Sequence, residues 1–169
     1  MTVNAPPRER SADWLESLYR STAADLYAYV ASVLHDSAAA EDVVALAFER
    51  ALRRRLLFNP RRGTARAWLF GIARNAALDE LRRQKRTAAL VVEPAAEAPQ
   101  APEPDERRLA VRAALAQLTP RERELIVLKF HAQCSNGELA RLIGTSESNA
   151  GTRLHRVLEL LRRACDESA

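Results

Sequence analysis

Cysteine, histidine, lysine and glycine are scarce in this chain of 169 residues, and each scarcity narrows what the protein does. Cys134 and Cys165 stand far apart with no CxxC or Cys/His spacing, so they argue for neither a zinc site nor a disulfide scaffold. Three scattered histidines (His35, His131, His155) and no nucleophile–base motif leave nothing from which to build a catalytic centre. No catalytic residue, metal ligand or cofactor is therefore expected. No apolar run approaches membrane-spanning length, and Met1 to Arg10 has no apolar signal core, so cytoplasmic localisation without membrane insertion is expected. No segment alternates apolar and polar residues with the period of a strand. The expected fold class is all-α.

Positive charge is abundant, and almost all of it is arginine: 24 arginines against two lysines. Its distribution is more telling than its sum. Residues 1–86 hold 15 basic and 10 acidic side chains, net +5. Residues 87–106 hold none basic and five acidic (Glu93, Glu97, Glu103, Asp105, Glu106), net −5. Residues 107–169 hold 11 basic and 7 acidic, net +4. Two basic blocks on an acidic tether suit a polyanion gripped at two places. The tether is rich in Ala, Pro and Glu, without helical periodicity, which predicts an extended linker over 87–106. The predicted architecture is two small helical domains, 11–86 and 107–165, joined by that linker.

The second domain reads as a helix-turn-helix. Thr119-Pro120-Arg121-Glu122 and Ser135-Asn136-Gly137-Glu138 are two helix starts, each with a capping hydroxyl and a glutamate three residues on. Gly144 supplies a residue that tolerates positive φ, Thr145 or Ser146 can cap, and a last helix is predicted to about Ala164. Ala150, Leu154, Val157, Leu158 and Leu161 form its expected buried stripe. Ser146, Ser148, Asn149, Thr152, Arg153, His155 and Arg156 fall elsewhere, short polar groups and arginines able to reach base edges and phosphates in a major groove.

The first domain reads as three helices. Trp14, Leu18, Leu26, Tyr29 or Val30, and Val33 mark the first. After a turn near His35-Asp36-Ser37, the second is expected to face Val44, Ala47, Phe48, Ala51 and Leu52 inward. Leu46 lies about 200° round from Val44 and Phe48 and should form a small exposed apolar spot with Val43. A turn at Asn59-Pro60-Arg61-Arg62-Gly63 precedes a third helix with Trp68, Leu69, Ile72 and Ala76 inward. Arg61 and Arg62 in the turn, and Arg66, Arg74, Asn75, Arg82, Arg83, Lys85 and Arg86 on the helix, are the polar candidates. Trp68 and Phe70 among arginines either pack in the core or offer stacking surface to single-stranded nucleic acid.

Three long segments carry a resemblance to a known family: LYRSTAADLYAYVASVLHDSAAAEDVVALAFERAL (18–52), FNPRRGTARAWLFGIARNAALDELRR (58–83), and ALAQLTPRERELIVLKFHAQCSNGELARLIGTSESNAGTRLHRVLELLRR (114–163). Together they resemble the extracytoplasmic-function (ECF) sigma factors of bacterial RNA polymerase. The resemblance implies that the first domain binds the clamp of core polymerase and opens DNA at the −10 element. One non-template base would leave the stack for a protein pocket, here the loop Asn59 to Ala67 with Arg74 and Asn75 on the next helix. Arg61, Arg62, Arg66, Trp68, Arg82 and Arg83 would join that contact. The last helix would read the −35 element, and a dedicated anti-sigma factor would be a further partner.

Three departures from the family pattern stand out. The clamp-facing helix, commonly like AEDVVQEVF, here runs Ala40-Glu41-Asp42-Val43-Val44-Ala45-Leu46-Ala47-Phe48. Ala45 and Leu46 replace a polar pair, so Glu41, Asp42 and Glu49 are left as acidic contacts. Gly151 stands where a basic residue is usual, and Asn149 replaces a frequent threonine. Two rivals to a working initiation factor remain at this point. One is a sigma-like decoy or adaptor with an altered clamp surface. The other is a helix-turn-helix repressor, which has no use for a strand-opening segment.

Overall fold

The computed structural model describes residues 11–88, 113–115 and 117–166; Thr87 and Ala88, expected to begin the linker, are instead the end of a helix, and the rest of the expected linker falls outside the described residues. All elements among the described residues are helical, as the missing strand pattern predicts. The chain divides into two compact units, taken here in turn.

The first unit is a bundle of α1 (Ser11–Leu34), α2 (Ser37–Arg53) and α3 (Ala65–Ala88), each touching the other two. His35 ends α1 in the left-handed region (φ 53°), and the Asp36 carboxylate accepts from Ala39 N at 3.0 Å to begin α2. That reversal takes two residues, so α2 folds straight back along α1. The start of α2 also lies beside the end of α3, since Asp36 acts electrostatically on Glu80 and Asp42 on Arg83. Leu18, Leu26, Tyr29 and Val30 from α1, Phe48 from α2, and Leu69 and Phe70 from α3 fill the core. Each large side chain so buried contributes roughly 1.5–3 kcal/mol.

Several inward assignments shift by part of a turn. On α2 the buried residues are Ala40, Val43, Ala47, Phe48 and Ala51, so Val43 is core and not a surface spot. Leu52 is 40% exposed, and Val44 and Leu46 are half-buried. The physical reason is the alanines: α2 meets two helices at once, and Ala40, Ala47 and Ala51 are fully buried, so the buried line runs along small side chains. A helical pattern weighted by large side chains misplaces that line. On α1 Val33 is half-buried, and Tyr29 and Val30 are both core; on α3 Trp68 and Ile72 are half-buried. Phe70 is fully buried against Tyr29, with ring centroids 5.6 Å apart, and offers no stacking surface.

The second unit contains α4 (Pro120–Phe130), α5 (Asn136–Ile143) and α6 (Glu147–Asp166). Thr119 and Glu122 cap α4 reciprocally: Thr119 N donates to Glu122 Oε2 at 2.9 Å and Glu122 N to Thr119 Oγ1 at 3.3 Å. The Thr119 hydroxyl, which donates to Glu122 Oε2 at 2.7 Å, and the Thr119 backbone N–H together hold the Glu122 carboxyl below its ordinary range. Ser135 and Glu138 repeat the device at α5. Gly144, at φ 70° and ψ 46°, closes α5, a conformation that costs other residues steric strain. Leu118, Ile126, Leu154 and Val157 form the core beneath, with Leu115 and Leu161 against it. Leu158 is 38% exposed because it sits roughly 60° off the centre of the α6 stripe. Cys134 is buried, and the Cys165 side chain lies outside the described residues.

Helices α5 and α6 cross closely at two glycines. A Cβ on Gly137 would sit 3.4 Å from the Glu147 carboxylate, and one on Gly151 would sit 3.5 Å from Asn136 Nδ2. The second distance is ordinary van der Waals contact. Gly151→Ala is therefore expected to stabilise this unit by about 1 kcal/mol, the helix-propensity difference. A raised thermal midpoint would bear this out, whereas a lowered one would mean that Asn136 cannot yield.

Candidate nucleic-acid interface

Helix α6 separates into two faces as its sequence predicts. Ala150, Leu154 and Val157 are buried, while Ser146, Ser148, Asn149, Thr152, Arg153, His155 and Arg156 are all exposed. Ser146 caps the helix, accepting from Asn149 N at 3.2 Å. The Asn149 amide donates to Thr145 Oγ1 at 2.7 Å, which fixes its rotamer while its carbonyl oxygen and second N–H remain for a ligand. Thr152 Oγ1 donates to Ser148 O at 3.0 Å and keeps its acceptor lone pairs. The result is a run of short, positioned polar groups followed by two arginines one turn apart, on an element of about 30 Å. A preceding short helix and a left-handed glycine turn hold it. That arrangement fits the major groove of duplex DNA.

In the first unit, Asn59 Oδ1 accepts from Arg61 N at 2.9 Å and nucleates the turn Pro60–Arg62. Gly63 follows at φ 150° and ψ −179°, a backbone region that side chains disfavour. Thr64 then caps α3, accepting from Ala67 N at 3.1 Å. Beneath the loop Phe58 is buried between two indoles, 6.0 Å from Trp14 and 5.4 Å from Trp68. The loop is thus anchored by aromatic packing and presents Arg61 and Arg62 to solvent.

The remaining candidates around this loop are not equivalent. Arg66 is largely buried: its guanidinium pairs with Asp25, donates to Ser21 O at 2.9 Å and lies 5.5 Å from the Phe70 ring centroid. The hydrogen bond from Arg66 holds the Asp25 carboxyl below its ordinary range. Arg74 and Trp68 are half-buried and Asn75 is exposed. Arg82 pairs with Asp79 at 2.9 Å, and Arg83 grips Glu80 through two bonds of 2.7 Å. The Arg83 bond lowers the Glu80 carboxyl and raises the guanidinium further. Arg82 and Asp79 are both exposed, so a phosphate can readily displace Asp79, whereas the Glu80 side chain is only 15% exposed and holds Arg83 more firmly.

The outer face of α2 collects Glu41, Asp42, Ala45 and Glu49, all exposed, with Leu46 half-buried at its edge. Glu49 pairs with Arg53 at 2.6 Å. Leu52, assigned inward from the sequence, joins this face on the same side as Ala45 and Glu49. It is one residue that sequence reasoning missed. Asp25 and Phe58 are others, since their roles depend on partners distant in the chain. Among the described residues, no group of three His, Cys, Asp or Glu could hold a metal ion. No helix there is long and apolar enough to cross a membrane.

Comparison with known proteins returns two family models, Sigma-70 region 2 over residues 18–87 and Sigma-70 region 4 over residues 108–161. RNA polymerase sigma factor CarQ of Myxococcus xanthus is 34% identical, covering 95% of this chain and 94% of CarQ. ECF RNA polymerase sigma factor SigL of Mycobacterium tuberculosis is 32% identical, covering 90% of this chain and 89% of SigL. Among solved structures, sigma factor RpoE in complex with the anti-sigma factor NepR from Bartonella quintana shares the fold. Its TM-score is 0.67 at 22% identity, covering 91% of this chain and 95% of that one.

Proposed function

The chain belongs to the ECF sigma factors of RNA polymerase, and on that premise we propose how its surfaces divide the work of transcription initiation. As a sigma factor it binds core polymerase and directs it to promoter DNA. Helix α6 reads the −35 element as duplex through Ser146, Ser148, Asn149, Thr152, Arg153, His155 and Arg156. The loop from Asn59 to Ala67 receives an unstacked base of the −10 element, with Asn75 and Arg74 beside it. Arg61, Arg62, Arg82 and Arg83 meet phosphates, and Trp68 supports the pocket from below. Arg66 acts as a strut, because its guanidinium is already committed to Asp25 and Ser21. The acidic linker, beginning after α3 ends at Ala88, joins the two domains.

The observation that carries this reading is the clean partition of α6. All seven residues chosen for base and phosphate contact are exposed, whereas Ala150, Leu154 and Val157 of the apolar stripe are buried. The protein does no covalent chemistry of its own in this account and works in the cytoplasm beside the polymerase. A dedicated anti-sigma factor is the proposed regulatory partner.

On the polymerase side, the outer face of α2 meets the clamp of the largest subunit through Glu41, Asp42, Ala45, Leu46 and Glu49. Leu46→Glu is expected to strengthen core binding by about twofold to fivefold, the worth of one partly screened charge pair. Weaker binding in a titration against core polymerase would mean that the apolar surface itself makes the contact. The function as a whole is tested by multi-round transcription on fragmented DNA from the source genome, with core polymerase alone and with the protein added. Discrete new transcripts sharing two upstream elements are expected, and their absence alongside intact core binding would overturn the reading.

A further inference from the structure

Leu56 and Leu57 are each 76% exposed, the two most exposed leucines among the described residues. They sit on a single helical turn, Arg55–Leu57, that follows α2. The turn is built rather than loose: Leu57 N donates to Arg54 O at 2.8 Å, Phe58 N to Arg55 O at 3.2 Å, and Arg55 Nη1 to Leu52 O at 3.0 Å. Immediately afterwards Phe58 is buried between Trp14 and Trp68. The buried phenylalanine therefore stands between two exposed turns, one presenting the leucines and the other presenting Arg61 and Arg62. Fixed by that anchor, the leucines cannot fold away into the core.

Their surroundings identify what covers them. From Arg50 to Leu78 the chain has eight arginines and no acidic residue. Leu52, 40% exposed at the end of α2, is the nearest other exposed leucine in the chain; otherwise the pair is flanked by exposed Arg54 on one side and Arg61 and Arg62 on the other. Arginine on phosphate combined with an apolar wedge against base faces is a recurring chemistry of nucleic-acid binding. Base faces are covered by stacking inside a duplex and uncovered only where strands separate. We infer that Leu56 and Leu57 form an apolar wedge against unpaired promoter bases at the edge of the melted region, with Arg54, Arg61 and Arg62 on the flanking phosphates. This rests on the sigma-factor reading and adds a second DNA contact beside the −10 pocket.

The test uses the full chain assembled with core polymerase and two fluorescein-labelled probes: a duplex, and the same duplex with a mismatched bubble at its centre. Leu56→Ser combined with Leu57→Ser should weaken bubble binding by about tenfold and duplex binding by less than about twofold. Core affinity and the thermal midpoint should stay unchanged, since both side chains are exposed. Unchanged bubble affinity would overturn the wedge and leave the sigma-factor reading intact. Loss of core affinity with bubble preference retained would also overturn it, making the turn part of the polymerase contact. Failure of the unaltered chain to bind core polymerase would instead sink the sigma-factor reading, and the wedge with it.

Discussion

Phe58→Ala is expected to cost the N-terminal unit about 3 kcal/mol, at the lower end of buried Phe-to-Ala changes, and to disable promoter opening while sparing −35 binding. Phe58 is the floor of the Asn59–Ala67 loop and touches both Trp14 and Trp68. Deleting its ring leaves a cavity between two indoles, and the loop loses the packing that holds its arginines outward. Helix α6, the proposed −35 reader, belongs to the other compact unit and draws its core from Leu118, Ile126, Leu154 and Val157. Duplex binding at the −35 element should therefore survive. Phe58→Leu keeps most of the volume and should cost about 1 kcal/mol. Chemical denaturation would give the stability change, and permanganate reactivity of promoter thymines would report opening. Equal loss of −35 binding would show that the two units do not behave independently.

Replacing both Arg153 and Arg156 by alanine should weaken −35 binding by about 2–4 kcal/mol, roughly 30- to 1000-fold, with little change in stability. Both guanidinium groups lie on the exposed face of α6, and neither is needed for the core. The form of the loss distinguishes two kinds of contact. An arginine on a guanine edge loses discrimination at one base pair, whereas one on phosphate weakens all sequences alike and lowers the salt slope by about one. Measuring Kd on the promoter duplex and on single-base variants at several salt concentrations separates the cases. Unchanged affinity for the double variant would overturn the groove assignment for α6. Because the residues are one turn apart, the two losses need not add.

Much of this was legible in the sequence because the signals were local. Thr119/Glu122 and Ser135/Glu138 sit at capping spacing, and both pairs form the reciprocal bonds that this spacing predicts. Gly144 adopts the left-handed turn, Asp36 begins α2, and the stripe Ala150, Leu154, Val157 is buried. Each depends on residues within a turn or two of one another, where chemistry and spacing leave few alternatives. The exposed face of α6 followed from the same periodicity.

The exceptions are contacts between elements. Whether Val43 or Leu52 faced inward depended on where α1 and α3 press on α2, and the small alanines at the crossing outweighed the larger leucine. Arg66 looked from its neighbours like a phosphate ligand, but Asp25, 41 residues earlier in the chain, holds its guanidinium. Trp14 and Phe58 are separated by most of two helices, so their joint role beneath the loop has no sequence signature. Capping, periodicity and charge order thus determined the helices, the helix-turn-helix and the exposed polar face of α6 from the sequence alone, because those are short-range properties of the backbone. Which arginines stay exposed, and what holds the Asn59–Ala67 loop in place, were decided only when distant side chains met in the packed bundle.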